Sequence, residues 1–147
     1  MKNMDKSVKV LIVMVAIVGI LYLANIFINK EEKIDYTNEE YITLKEEKIP
    51  TIYKIIGEKN IKETNNGLDK TGNYIEVIYK DLSLLEVSEY ITYFRNNNYV
   101  LISSDTNNAV IVNESNEQGK IITITVNFKG NETRIKYSKG SGILTRD

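Results

Sequence analysis

The 147-residue sequence predicts an α+β protein: a single N-terminal transmembrane helix, then a small domain of mainly antiparallel sheet, about five or six strands, with two helices on one face. Three observations carry that prediction. Val10 to Ile28 runs nineteen residues without a charge. Ser83 to Asn96 joins a helix-capping signature to an apolar stripe of helical period. Between Tyr99 and Ser138, four strand-like runs alternate with turn residues at short intervals.

Taken in order, the tail 1–9 places Lys2, Lys6 and Lys9 just ahead of the apolar run, the arrangement of a signal-anchor. As a helix the segment 10–28 reaches roughly 28 Å, close to the roughly 30 Å hydrocarbon thickness of a bilayer. The expectation is therefore an uncleaved single-pass anchor in the lipid bilayer of a cell membrane, with the N-terminus cytoplasmic and the C-terminal domain extracytoplasmic. Residues 29–48 are charge-dense and read as a juxtamembrane stalk. Within it Thr37 and Glu40 have the spacing of a capping box, which predicts a helix of about ten residues.

The packed domain is expected over 49–138. Pro50 suits the first turn of a short helix carrying Ile52, Ile55 and Ile56, and Gly57 suits its C-terminal end. Asn66-Gly67 offers a turn, and Tyr74 to Lys80 reads as a strand with Ile75, Val77 and Tyr79 on one face. In the helix 83–96, Leu84, Val87, Ile91 and Phe94 form the stripe, facing Ile124 and Val126, while Tyr90 and Tyr93 flank it with hydroxyls in water. The runs Tyr99 to Ser103, Ala109 to Asn113, Lys120 to Phe128 and Glu132 to Ser138 then form a meander. Alternation puts Ile122, Ile124, Val126 and Phe128 toward the core, with Thr133, Ile135 and Tyr137 beside them. The remainder, 139–147, reads as a flexible tail.

Composition narrows the chemistry. Cys and His are both absent, which removes thiolate nucleophiles, disulfides, imidazole bases and the usual zinc ligands. Acid-base work would fall to carboxylates such as Glu76, Asp81, Glu86 and Glu89, and no serine-hydrolase motif is present. Gly67 and Gly72 lie between two strands rather than between a strand and a helix, so they do not read as a phosphate cradle. Past residue 29 the chain holds 16 Lys and Arg against 19 Asp and Glu, without two adjacent basic residues, so nucleic acid is not an expected partner. No cofactor, metal or catalytic residue is expected.

What remains is a non-catalytic role, an accessory or interaction subunit of a bacterial cell-envelope assembly with an envelope protein as partner. The lysine- and asparagine-rich usage fits an AT-rich bacterial genome. The polar face of the last two runs, Thr123, Thr125, Asn127, Arg134 and Lys136, is the candidate partner-binding surface, with Arg134 and Lys136 also suited to blunting an exposed sheet edge. The alternative is a ligand-sensing or cell-wall-binding module, in which Tyr74, Tyr79, Tyr99 and Tyr137 would line a sugar pocket. An enzyme ranks third.

Overall fold

The computed structural model describes residues 14–23 and 39–146, which fall into two units, 1–32 and 33–147. In the first unit residues 14–23 are helical (α1), with their apolar side chains exposed. The rest of the expected span over 10–28, the tail 1–9 and the first part of the stalk lie outside the described residues. Among the described residues no helix is long and apolar enough to cross a membrane.

The second unit opens with a hairpin, β1 (Tyr41–Leu44) and β2 (Glu47–Pro50). Lys45 and Glu46 turn the chain with φ of 45° and 69°, the left-handed pair that two-residue hairpins require. Thr37 lies outside the described residues, and from Glu39 onward the chain is strand and turn rather than the expected helix. Ile42 and Leu44 recur at a period of two, and both are buried in the strand together with Ile49; in a helix they would lie on opposite sides. Packing thus begins at Tyr41 rather than Ile49, and the second half of the expected stalk belongs to the core.

Helix α2 (Ile52–Ile55) is capped by Thr51, whose hydroxyl accepts from the Lys54 N–H, and Gly57 follows with φ of 113°. Pro50 sits in β2, ahead of the cap. Strands β3 (Ile61–Asp69) and β4 (Gly72–Lys80) form a hairpin closed by Lys70-Thr71. The turn expected at Asn66-Gly67 therefore lies inside β3. Asp69 wins the turn because its carboxylate accepts from both the N–H and the hydroxyl of Thr71, while Gly72 supplies a φ of 103°.

Helix α3 (Leu84–Asn96) has the full capping box of Ser83 and Glu86. Its buried face is Val87, Tyr90 and Phe94, with Ile91 partly buried and Leu84 61% exposed. The expected stripe is rotated toward Tyr90, which is fully buried rather than wet at its hydroxyl. That hydroxyl donates to the Pro50 carbonyl at 2.9 Å and shares a 2.6 Å hydrogen bond with the Tyr137 hydroxyl, so the ring is buried with its polar end satisfied. Burial holds both phenols well above the ordinary tyrosine pKa.

Strands β5 (Val100–Ser104), β6 (Asn108–Glu114), β7 (Lys120–Lys129) and β8 (Glu132–Ser141) form the expected antiparallel meander. The sheet order is β3-β4-β8-β7-β6-β5, with every pair antiparallel. Hairpin β1–β2 and helices α2 and α3 contribute Ile42, Ile49, Ile52, Val87, Tyr90 and Phe94 to one core with the inner face of this sheet. The last strand also corrects the expected tail. Ser138 to Ser141 are strand, and Lys139 is 6% exposed. Its ammonium bonds the Lys45 carbonyl at 3.3 Å and lies 3.2 Å from Glu117 and 3.6 Å from Glu47. A lysine is tolerated at that depth because its charge is matched on the spot.

Candidate functional site

The strand register places the five predicted residues together. Thr123, Thr125 and Asn127 alternate outward along β7, and on β8 Arg134 stands opposite Asn127, Lys136 opposite Thr125. Strand β4 continues the rows, with Glu76 opposite Lys136 and Ile78 opposite Arg134. On the other side, Val110 of β6 stands opposite Thr125 and Val112 opposite Thr123. The result is a polar patch across four central strands with Ile78 and Val112 set into it, both buried among their neighbours. Strand β8 is internal, between β4 and β7, so Arg134 and Lys136 do not blunt an edge; among the described residues the edges are β3 and β5.

Of the two cations on this face Lys136 is held by its neighbours, while Arg134 makes only long, exposed contacts. Lys136 is ion-paired to Asp69 and stands 4.6 Å above the ring of Tyr74. Arg134, half exposed, lies 4.0 Å from Glu76 and 3.9 Å from Glu132. Glu132 is also bonded by Lys62, and Asn127 is bonded through its side-chain amide to Asn108. The sequence marked the five outward residues by period-two alternation. It did not mark Asp69 or Tyr74, which join the face only through the placement of β4 beside β8 and of β3 beside β4, whereas Glu132 alternates outward with Arg134 and Lys136 along β8 itself. Glu76 alternates outward from Ile75 and Val77, a signal that was available.

Hydrogen bonds from Lys136 first, and then Thr71, lower the Asp69 pKa from 3.8 to about 2, and the Lys59 bond first, then the Ser83 N–H, lower that of Glu86 from 4.5 to about 2. A depressed carboxylate pKa contributes stability above the unfolded value, and the contribution is lost as pH falls toward the folded value. Thermal melts should accordingly coincide between about pH 7 and pH 5 and shift downward between about pH 4 and pH 2. An unchanged melt at about pH 2 would show that these pairs contribute nothing.

Other arrangements considered from the sequence are not assembled. Tyr79 and Tyr137 are buried in the core, Tyr74 is on the outer face, and Tyr99 packs edge-on against Phe94 at 4.8 Å on the inner side. The four do not line a common pocket. Glu76 faces outward while Glu86 caps α3 on the inner side, so the sheet separates those two carboxylates. Among the described residues no group of three or more acidic side chains converges as a cation site. A groove of about 450 Å³ runs between α3 and the β5–β6 turn, floored by Val87, Ile91, Ala109 and Val126.

No protein-family model matches the chain, and neither does any curated protein or any solved structure.

Proposed function

We propose that the protein is a non-catalytic, membrane-anchored interaction subunit of a bacterial envelope assembly, with residues 10–28 in the bilayer and the domain on the outer side, binding a protein partner through the outer face of its sheet. The supporting observation is one-sided packing. Hairpin β1–β2, α2 and α3 all pack into the inner face, while Thr123, Thr125, Asn127, Arg134 and Lys136 stand on the other, with Lys136 pre-positioned by Asp69 and Tyr74. Charged groups already ordered by neighbours lose less conformational entropy on binding than free ones. The mixture of Arg134 and Lys136 with Glu76, Asp69 and Glu132 suits a partner surface bearing both signs.

The test uses the full chain tagged after Asp147 and recovered from detergent extracts. Thr125→Asp, Arg134→Glu and Lys136→Glu together reverse the charge of the patch, and recovery of the wild-type partners should fall about tenfold. Retention of every partner by a folded triple variant would end this assignment. If the triple variant does not fold, Arg134→Gln with Lys136→Gln provides the same comparison without introducing repulsion. The same tagged chain reports orientation: protease added to intact protoplasts should remove a tag after Asp147 and spare one ahead of Met1, and the reverse pattern places the domain inside.

A further inference from the structure

We infer that two copies of this chain associate through their β3 strands, antiparallel and centred on Asn65, joining two six-stranded sheets edge to edge. The two ends of the sheet differ in how they are finished. Strand β5 is five residues long and its register shifts between Leu101 and Ser103, a bulge that spoils a flat edge. Strand β3 is nine residues long, with its irregularity confined to the Ile61–Glu63 end. From Thr64 to Leu68 it carries no charge, no proline and no bulge, and Leu68 is 74% exposed.

The hairpin register shows which backbone groups point outward. Asp69 and Gly72 close a two-residue loop, which makes them a hydrogen-bonded pair, and the Lys80 N–H donates toward β3 to the Asn60 carbonyl, in step with that alternation. Glu63, Asn65, Gly67 and Asp69 therefore bond to β4. The amides and carbonyls of Thr64, Asn66 and Leu68 face away from the sheet.

Charge and chemistry select a second copy and one register. Asparagine amides donate and accept, so an antiparallel copy of Thr64-Asn65-Asn66 is its own complement. Asn65 is the midpoint of β3; centring the pair there matches the whole strand, sets Thr64 opposite Asn66 and places Glu63 opposite Gly67. Centring on Asn66 would set Glu63 opposite Asp69 twice, and like charges directly opposite are unfavourable. Centring on Gly67 would leave Ile61 to Thr64 without strand partners. Side chains of directly opposed residues share a face, so the Asn65 register keeps both cores on one side and makes the two outer faces continuous. An edge pairing of this length falls at the small end of specific interfaces, so the dimer is concentration-dependent.

The chain has no cysteine, so a single introduced one reports without background. In the centred register the two copies of residue 65 form a non-hydrogen-bonded pair roughly 4.5 Å apart at Cα, within disulfide range. Under mild oxidation the full chain in detergent should cross-link through Asn65→Cys about tenfold more than through Ser103→Cys on β5. Adding Asn66→Pro, or separately Thr64→Pro, removes an outward amide and no bond to β4, and should return cross-linking to the Ser103→Cys level without moving the thermal melt. Equal cross-linking at the two sites, or cross-linking that survives both folded proline variants, overturns the pairing. The charge-reversed triple variant should cross-link normally, which separates this contact from partner binding.

Discussion

Phe94→Ala is expected to abolish the cooperative thermal melt of the domain. Phe94 is fully buried, and its ring meets Tyr90, Tyr93 and Tyr99 edge-on at centroid distances of 5.0, 5.6 and 4.8 Å. Truncating a buried phenylalanine costs about 3 to 5 kcal/mol, the lost aromatic pairings included. Native stabilities run from about 5 to 15 kcal/mol and a small domain lies toward the low end, where this one change consumes most of what is there. The loss also spreads locally, since the Phe94 carbonyl accepts from the N–H groups of Asn97 and Tyr99 where α3 turns into β5. Thr125→Ala, half-buried on the outer face, should move the melt by no more than about 0.5 kcal/mol. Circular dichroism of the full chain in detergent decides the matter: a fall of less than about 5 °C for Phe94→Ala would mean that α3 does not anchor the core.

That prediction was open to sequence reasoning because α3 advertises itself locally. Ser83 and Glu86 cap it reciprocally, Val87, Ile91 and Phe94 recur at helical spacing, and Asn98 takes the left-handed conformation just past its end. The alternation in β7 and β8 was equally local, and it separated the core residues from the five of the candidate face. Failures came where distant residues decide. The local pattern predicts a wet hydroxyl for Tyr90, whose partners, the Pro50 carbonyl and Tyr137, lie 40 and 47 positions away. In the stretch from Tyr41 to Pro50 dense charge masked a hairpin: Ile42, Leu44 and Ile49 reach the core while Glu47 turns aside to bond Ser115 and Asn116. The partners of Arg134 and Lys136 depend on β4 lying beside β8, and no local pattern encodes which strand neighbours which.

The segment after Ser138 lacks a local signal for the same reason, and Gly140 within it, with Gly72 across from it on β4, is the sharpest measure of how tightly it is held. Gly72 opens β4 and Gly140 lies near the end of β8, side by side across the ladder. A Cβ on Gly72 would sit 2.0 Å from the Lys139 carbonyl oxygen, and one on Gly140 would sit 2.2 Å from the Thr71 carbonyl oxygen. Both obstacles are backbone, so neither can be cleared by a rotamer change. Gly72 has in addition a φ of 103°, which side-chain-bearing residues rarely adopt. Alanine for glycine restricts the unfolded chain and by itself stabilises by about 0.4 to 1 kcal/mol. Forced overpacking costs about 1 to 3 kcal/mol or more, and a disfavoured backbone conformation about 1 to 3 kcal/mol, so the clash wins at Gly72 by roughly 3 kcal/mol and at Gly140 by somewhat less. Gly130→Ala supplies the comparison: its φ is 61° but nothing lies within 4 Å of the added atom, so the left-handed penalty of about 1 to 2 kcal/mol, with no clash, stands against the same unfolded-chain gain. Moving the end of β8 should also free Lys139 from the Lys45 carbonyl and from Glu47 and Glu117, exposing a matched charge that now fastens β8 to the β1–β2 turn. Gly72→Ala should therefore melt well below Gly130→Ala and gain protease sensitivity after Lys139. If Gly72→Ala and Gly140→Ala both melt together with Gly130→Ala, the two strands do not approach as closely as this packing requires.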